Sequence, residues 1–433
     1  MTAPGGLAPA TGSIRLAAQH FAASAIYLLA GTIGLVWIAP ELARGQYISP
    51  HVAGITHLFT LGWLTTTIFG ALCQLLPVAL GSPLPWPRLA DLGFWVYAPG
   101  VAVFAFGVAT ENPVIRMIGV LLVAVGILVI VSNLAAGLIR ATRRDVTWAA
   151  VAIALTFLLS TLALGLVLVH NLETGFVAAA RLRVLATHLH VALVGWILVM
   201  IVGVSHRLLP MFLLAHGGDT RWTRPALALL ASGVVVLATG LLAAQAVASW
   251  LGLILIEGGI CCFLRQAYAF YRVRVRRKLD AGLRFAATAL AFLLVTAGLA
   301  PAVLAIGAAH PHLAVIYLVT GLLGGIVLYV VGFFYKIVPL LAWTGRFRGR
   351  MGKGPVPTVA QMYSARLAYG QLGAMAIGVI ALAAGIAIGQ VHVVRCGAVL
   401  YLIGLGIFML QLLGIAFGRV LPAAAPMSAG GAA

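Results

Sequence analysis

Hydrophobic residues form long runs along nearly the whole chain, separated by short polar stretches that hold most of the charged residues. An α-helix needs about 20 apolar residues to cross the hydrocarbon core of a bilayer, which is about 30 Å thick. Twelve runs are long enough, so the pattern predicts twelve transmembrane helices. We place them at 16–39, 51–80, 90–110, 114–139, 146–171, 184–213, 225–247, 249–271, 284–308, 313–341, 366–390 and 394–418.

The second predicted helix has two later copies that keep the order of its residues. The first copy contains His57, Gly62, Trp63, Gly70 and Pro77. The second copy repeats all of them 133 positions later, beginning with His190. The third copy lies a further 129 positions along the chain and has Val319 where the other two have a histidine. A membrane helix that occurs three times indicates an internal repeat.

Each copy is the second helix of a group of four. The groups are placed at 14–145, 146–282 and 283–421. Because each group has an even number of helices, the three copies run in the same direction across the membrane. We therefore expect an all-α integral membrane protein, a single membrane domain of twelve transmembrane helices in three four-helix arcs, with the repeated helices at its centre. The Gly/Pro/Ala-rich ends, 1–13 and 422–433, are predicted to be disordered tails.

The composition excludes a soluble protein, because 63% of the residues are hydrophobic and only 8% are charged, against about 25% in soluble domains. The net charge of +19 does not indicate nucleic-acid binding, because most of the 27 basic residues lie on the side of the membrane that carries the termini. The five exceptions are Arg44, Arg116, Arg181, Arg183 and Arg395. This asymmetry predicts that both termini lie in the cytoplasm and that anionic lipid headgroups are partners. We expect a multi-pass protein of the bacterial inner membrane.

Histidines provide the candidate chemistry. His57 and His190 lie about two turns inside their helices at equivalent positions of the repeat. Neutral imidazole is a common metal ligand and a usual axial ligand of heme iron. His188 precedes His190 by two residues, which is a rotation of about 200° around a helix, so the two rings face opposite sides and serve different sites. Glu257 is the one acid predicted near mid-membrane, and the sequence names no partner for it.

Heme binding needs axial ligands on facing helices, small residues against the porphyrin and cations near the propionates. We predict that His57 and His190 are the axial ligands, at equal depth in the membrane. The predicted cofactor site comprises His57, His190, Gly62, Gly195, Arg181 and Arg183. His188 faces away from that site and is predicted to hold a second heme or a copper ion together with His51, His312 or His170.

Residues 187–196 (Thr-His-Leu-His-Val-Ala-Leu-Val-Gly-Trp) resemble the His-x-His helix of subunit I of heme–copper oxidases, especially the C-type oxidase and nitric oxide reductase branch. Residues 203–212 (Gly-Val-Ser-His-Arg-Leu-Leu-Pro-Met-Phe) resemble a segment of the NnrS family, whose members carry heme and copper. The resemblance implies twelve helices in three arcs, heme b, copper as a further cofactor, and an oxidoreductase activity. The family's pair lies on helix 10 but on helix 6 here, and no His-His pair occurs, so no copper site is assigned.

Three functions remain open at this point. The first is a divergent NnrS-like heme protein for electron transport or for nitric oxide or another small gas, supplied by a periplasmic electron donor or a quinol. The second is a membrane transporter or metal-handling permease that captures copper or another cation on its outward-facing histidines. The third is a structural subunit without a cofactor, in which the histidines only lie at the membrane interface.

Overall fold

A computed structural model describes residues 11–215, 218–275 and 278–418, and within these ranges it contains helices and no strand. Twelve of the helices are long and apolar enough to cross a membrane, which confirms the predicted number. They are α1 (Ile14–Trp37), α2 (Pro50–Leu80), α3 (Pro87–Ala109), α4 (Pro113–Ile139), α5 (Val146–Thr174), α6 (Ala178–Leu213), α7 (Thr223–Leu242), α8 (Ala246–Arg272), α9 (Ala281–Ile306), α10 (Pro311–Arg350), α11 (Ala365–Ala387) and α12 (Val391–Ala416).

The bounds differ from the predicted ones mainly at helix ends. Proline occupies the first position of α2, α3, α4 and α10, where its missing N–H costs nothing and its fixed φ suits the helix. Helix α10 continues to Arg350, past its predicted end at 341. Helix also begins at Thr11, inside the first predicted tail. The remaining parts of the two tails, 1–10 and 422–433, lie outside the described residues.

Close helix pairs recur once in every four helices. The pairs α3–α4, α7–α8 and α11–α12 pack tightly side by side along their length. A Cβ atom added at one glycine in each pair would collide with the backbone of the partner helix. These glycines are Gly119 in α4, Gly252 in α8 and Gly397 in α12. The glycines therefore allow the close backbone approach that drives helix association in lipid.

A carboxamide side chain in the last helix of each group holds the loop before the third helix. Asn133 accepts a hydrogen bond from the Trp86 backbone N–H at 3.2 Å and donates one to the Trp86 carbonyl at 2.7 Å. Gln411 bonds the backbone N–H and carbonyl of Ser364 at 2.7 and 3.2 Å. Gln266 accepts a hydrogen bond from the Trp222 backbone N–H and donates one to the Asp219 carbonyl, both just before α7. Each group of four helices thus supplies hydrogen-bond partners for the backbone of its own loop.

The helices α2, α6 and α10 contact one another through side chains at the centre of the molecule. Trp196 in α6 donates a hydrogen bond from Nε1 to the Thr65 hydroxyl of α2 at 3.0 Å. Ser205 in α6 and Tyr329 in α10 share a hydrogen bond at 2.6 Å. Aromatic rings join α2 to α10. All of these side chains are buried.

Each central helix contains one π-helical segment at an equivalent position. The segments are Leu58–Thr65, Val191–Leu198 and Thr320–Val327. Their starts have the same separations, 133 and 129 residues, as the repeated residues of the sequence. The segments directly follow His57, His190 and Val319. π-Helical turns are rare and are frequently found at functional sites, so they draw attention to these three positions.

The face that carries the termini has two equivalent ion pairs. Arg207 in α6 pairs with Asp145, which caps the start of α5, and Lys336 in α10 pairs with Asp280, which caps the start of α9. Burial raises the pKa of Asp145. The hydrogen bond and the charge of Arg207, together with backbone hydrogen bonds from Thr147 and Trp148, outweigh this effect and hold the pKa below its ordinary value. The first group has uncharged Gln74 at the matching position of α2.

Candidate cofactor site

A cavity of about 270 Å³ lies between α2, α5 and α6, toward the face opposite the termini, which we call the outer face. This volume is close to the roughly 300–1,000 Å³ of pockets that hold small ligands. Residues of α1, α3, α4 and α10 complete its walls. Most of the lining is apolar, but His57 of α2 and His188 of α6 both line the cavity.

The backbone fixes the orientation of His57. Its Nδ1 lies 2.7 Å from the Ala53 carbonyl, which can only accept, so Nδ1–H donates and Nε2 keeps a lone pair. The Phe104 ring packs against the imidazole edge to face, with centroids 5.0 Å apart. A histidine whose Nδ1–H is held by a carbonyl is oriented as a metal ligand through Nε2. His57 therefore has the hydrogen bonding expected of an axial ligand.

Hydrogen bonds fix the orientation of His188 less firmly than that of His57. The Thr161 carbonyl of α5 lies near the His188 ring, but no group meets the full geometry of a hydrogen bond to its buried Nδ1 among the described residues. The ring lies against Gly165 of α5, where an added Cβ would be 3.3 Å from His188 Cε1. Gly165 also lines the cavity and thus makes room for this ring. Sequence reasoning missed Gly165, because nothing marks it among the other small residues of α5.

The remaining polar lining is largely satisfied by the protein itself. The Thr60 hydroxyl donates to the Thr56 carbonyl at 3.0 Å, and the Thr161 hydroxyl donates to the Phe157 carbonyl at 2.8 Å. The predicted propionate partner Arg181 lines the cavity and is exposed. The two imidazoles and this guanidinium are therefore the main groups that a ligand in the cavity would meet.

The cavity is closed on its inner side and reaches the surface near the outer face. Trp196, which bonds Thr65, lines it and is only 1% exposed, so the tryptophan blocks the path toward the termini face. Ile48 and Leu172 also line it, yet they are 50% and 44% exposed. A ligand would therefore enter from the outer side.

His190 faces the other side of α6, as predicted for two histidines separated by one residue. Its Nδ1–H donates to the Ala186 carbonyl at 2.8 Å, which leaves the Nε2 lone pair. The Tyr317 hydroxyl of α10 donates to that Nε2 at 3.4 Å, and the two rings stack at 6.2 Å. His190 does not line the cavity. The predicted axial pair, His57 with His190, is thus not brought together, and His188 stands opposite His57 instead.

The two predicted porphyrin glycines serve helix packing. A Cβ on Gly62 would lie 2.6 Å from the Tyr27 side chain of α1, and one on Gly195 would lie 2.7 Å from the Phe157 ring of α5. Neither glycine lines the cavity. Each makes room for an aromatic ring of the preceding helix rather than for a ligand. The sequence pattern could not separate these two roles, because both require a missing side chain.

The other predicted metal ligands have partners elsewhere. His51 bonds Glu41 at 2.8 Å, and His312 bonds the Ala43 carbonyl at 3.1 Å. His170 is exposed and packs on the Phe176 ring. None of the three lines the cavity with His188. In the described ranges, no group of three or more His, Cys, Asp or Glu side chains has the arrangement of a metal site.

Glu257, the acid predicted near mid-membrane, lies in α8. One of its carboxyl oxygens is buried, with no hydrogen-bond partner among the described residues. Glu257 does not line the His57 cavity.

Comparison with known proteins returns no matching family model and no matching curated protein. The resemblance to heme–copper oxidases and to NnrS proteins therefore depends on the residues of this chain alone.

Proposed function

We propose that the protein binds one heme b in the cavity, with His57 and His188 as axial ligands, and that it transfers electrons. The observation that carries the proposal is that two imidazoles on separate helices line one cavity. Two imidazoles that face one space can hold a heme iron between them. Arg181 at the mouth has the charge to meet a propionate.

The residues fit this cofactor on three further grounds. His57 is oriented with a free Nε2, and no group in the described ranges meets the full geometry of a hydrogen bond to the buried Nδ1 of His188. Gly165 gives the space that a Cβ would fill beside His188. When bound, the heme would supply a one-electron redox centre. With His57 and His188 both holding the group, the chemistry it would supply is electron transfer rather than binding of a gas.

A copper centre receives less support. His51 is already bonded to Glu41, and His312 is already bonded to the Ala43 carbonyl. His190 accepts a hydrogen bond from Tyr317. Histidines that are committed in this manner would have to give up these bonds before they could join His188 as ligands.

The proposal is tested by absorption spectroscopy of protein purified after expression with ample heme. Wild-type protein should show a Soret band, and His57→Ala or His188→Ala should abolish it, because each removes an axial ligand. His190→Ala is the matched control and should keep the band, since His190 lies on the opposite face of α6. Colourless wild-type protein would overturn the proposal. Copper without iron in a metal analysis would favour the permease.

A further inference from the structure

The outer connection between α1 and α2 is longer than its two counterparts in the repeat. It spans residues 38–49, whereas the connection between α5 and α6 spans 175–177 and that between α9 and α10 spans 307–310. We call residues 38–49 the outer strap. Neither of the two short connections contributes a residue to the lining of the cavity, but the outer strap contributes Ile38, Leu42, Tyr47 and Ile48.

The outer strap differs in packing along its length. Its first half, Ala39–Ala43, is a short helix whose Leu42 and two alanines are buried, and it packs against α12. Its second half, residues 44–49, consists of turns and exposes Arg44, Gln46 and Ile48. A segment that buries few apolar side chains opens locally at a small cost in free energy. The second half is therefore the part of the outer strap that can move.

Two contacts hold the outer strap against the start of α10, at the junction of its halves. His312 Nε2–H donates to the Ala43 carbonyl at 3.1 Å. Gly45 has a φ of +72° and lies so close to α10 that a Cβ would be 3.1 Å from the backbone nitrogen of His312. At the base of the strap, His51 Nδ1 and Glu41 Oε1 are 2.8 Å apart, so its two ends stay joined. The contact with α10 therefore decides whether the second half stays in place.

We propose that the outer strap is a lid whose second half moves away from α10 to admit and release the ligand of the cavity. The inference rests on the proposed function only for the identity of that ligand, heme. Trp196 blocks the inner side of the cavity, so a ligand passes the outer side, where Tyr47 and Ile48 form part of the wall. A lid acts on entry and on release, so it changes both rates more than it changes the dissociation constant.

The experiment measures heme release from the loaded protein to excess apomyoglobin, and heme uptake afterwards, from the Soret absorbance. Gly45→Ala puts a Cβ at a positive φ and against the His312 backbone, so the strap loses its contact with α10. We expect both rates to rise about tenfold and the dissociation constant to change less than about threefold. Gly175→Ala is the matched control in the α5–α6 connection. Its φ of +68° gives similar strain, but its Cβ meets nothing within 4 Å, so both rates should equal those of wild type.

A second variant tests the same contact without backbone strain. His312→Ala removes the hydrogen bond to the Ala43 carbonyl and should raise both rates about threefold. An unchanged Soret maximum certifies that each variant is folded around its ligand. Wild-type rates of uptake and release in both Gly45→Ala and His312→Ala, in protein that binds heme, would overturn the lid.

A further measurement does not require heme. Ala192 lines the cavity, so Ala192→Cys, in a chain whose four native cysteines are replaced by alanine, reports access of a charged, water-soluble maleimide. Labelling should become about tenfold faster when Gly45→Ala is added and should not change when Gly175→Ala is added. Equal labelling rates with and without Gly45→Ala would overturn the lid. Protein that takes up no heme would overturn the proposed function alone.

Discussion

The His57 cavity and the equivalent region between α6 and α10 are built on the same plan but end in different chemistry. His190 corresponds to His57 through the 133-residue displacement, and Tyr317 corresponds to His188 through the 129-residue displacement. Both histidines have Nδ1–H held by the carbonyl four residues earlier, at 2.7 and 2.8 Å. In the first region Nε2 is left for a ligand. In the second, Tyr317 donates to it.

The difference between the two regions lies in the facing residue. Phe157 packs on Gly195, and Phe292 packs on Gly324 in the same manner, so Gly165 in α5 corresponds to Ala300 in α9. The first region therefore pairs an imidazole with a glycine behind it, and the second pairs a phenol with an alanine. An oriented histidine is not enough for a ligand site. The residue opposite must leave its lone pair free.

The strongest test of this comparison converts the first region into the second. His188→Tyr places a phenol opposite His57, where its hydroxyl can donate to Nε2 and no second imidazole remains. We expect heme content to fall at least about tenfold, measured by the Soret absorbance per protein. Tyr317→Phe is the control and should leave the spectrum unchanged. Full heme content in His188→Tyr would show that the facing residue does not decide binding.

A smaller effect is expected from the space behind His188. Gly165→Ala places a Cβ 3.3 Å from His188 Cε1, so the ring must shift by a few tenths of an ångström. We expect the heme dissociation constant to rise by a factor of about ten or less, which corresponds to about 1.4 kcal/mol or less. Gly298→Ala in α9 meets nothing within 4 Å and should change nothing. Equal titration curves for both variants and wild type would contradict the assigned role of Gly165.

The smallest effect concerns the ion pairs of the termini face. The two side chains of the Arg207–Asp145 pair are 34% and 37% exposed, so we expect it to contribute about 0.2–1 kcal/mol to the free energy of unfolding. The pKa of folded Asp145 lies below its ordinary value, so this contribution is present above the ordinary pKa and is lost as pH falls through the folded pKa.

Thermal unfolding in detergent measures this contribution. Asp145→Asn should unfold at a slightly lower temperature than wild type at neutral pH, and the difference should vanish in strong acid. Gln74→Ala tests the first group, where no charge is present at the equivalent position, and its effect should not depend on pH. A pH-independent effect of Asp145→Asn would show that capping of α5, rather than the ion pair, is what the mutation removes.

Much of the fold follows from the sequence. The run lengths predict the twelve helices, and their number is confirmed. The rotation of about 200° between His188 and His190 predicts that they serve opposite sides of α6, which the structure shows. The sequence also predicts that His57 lies about two turns inside its helix, because His190 has the equivalent position in the second copy of the repeat.

The pairing across the cavity could not be predicted. Which face of α6 meets α2 depends on the rotation of each helix about its axis, and apolar side chains all round the helix leave that rotation unspecified. The π-helical segment after His190 adds to the difficulty, because a count of 3.6 residues per turn misplaces side chains beyond it. The sequence predicts that Gly195 faces a cofactor, because nothing in it shows that Gly195 packs against Phe157, which lies 38 positions earlier in the chain.

The hydrogen bonds between the carboxamide side chains and the loop backbones have a consequence for the synthesis of the protein. Asn133, Gln266 and Gln411 each belong to the last helix of the group whose loop they hold. A buried backbone N–H or carbonyl group is costly while it lacks a hydrogen-bond partner. Each group obtains these partners as soon as its fourth helix leaves the ribosome and the insertion machinery, without waiting for the next group. The loop hydrogen bonds of the three groups can therefore form in the order in which the groups are synthesised.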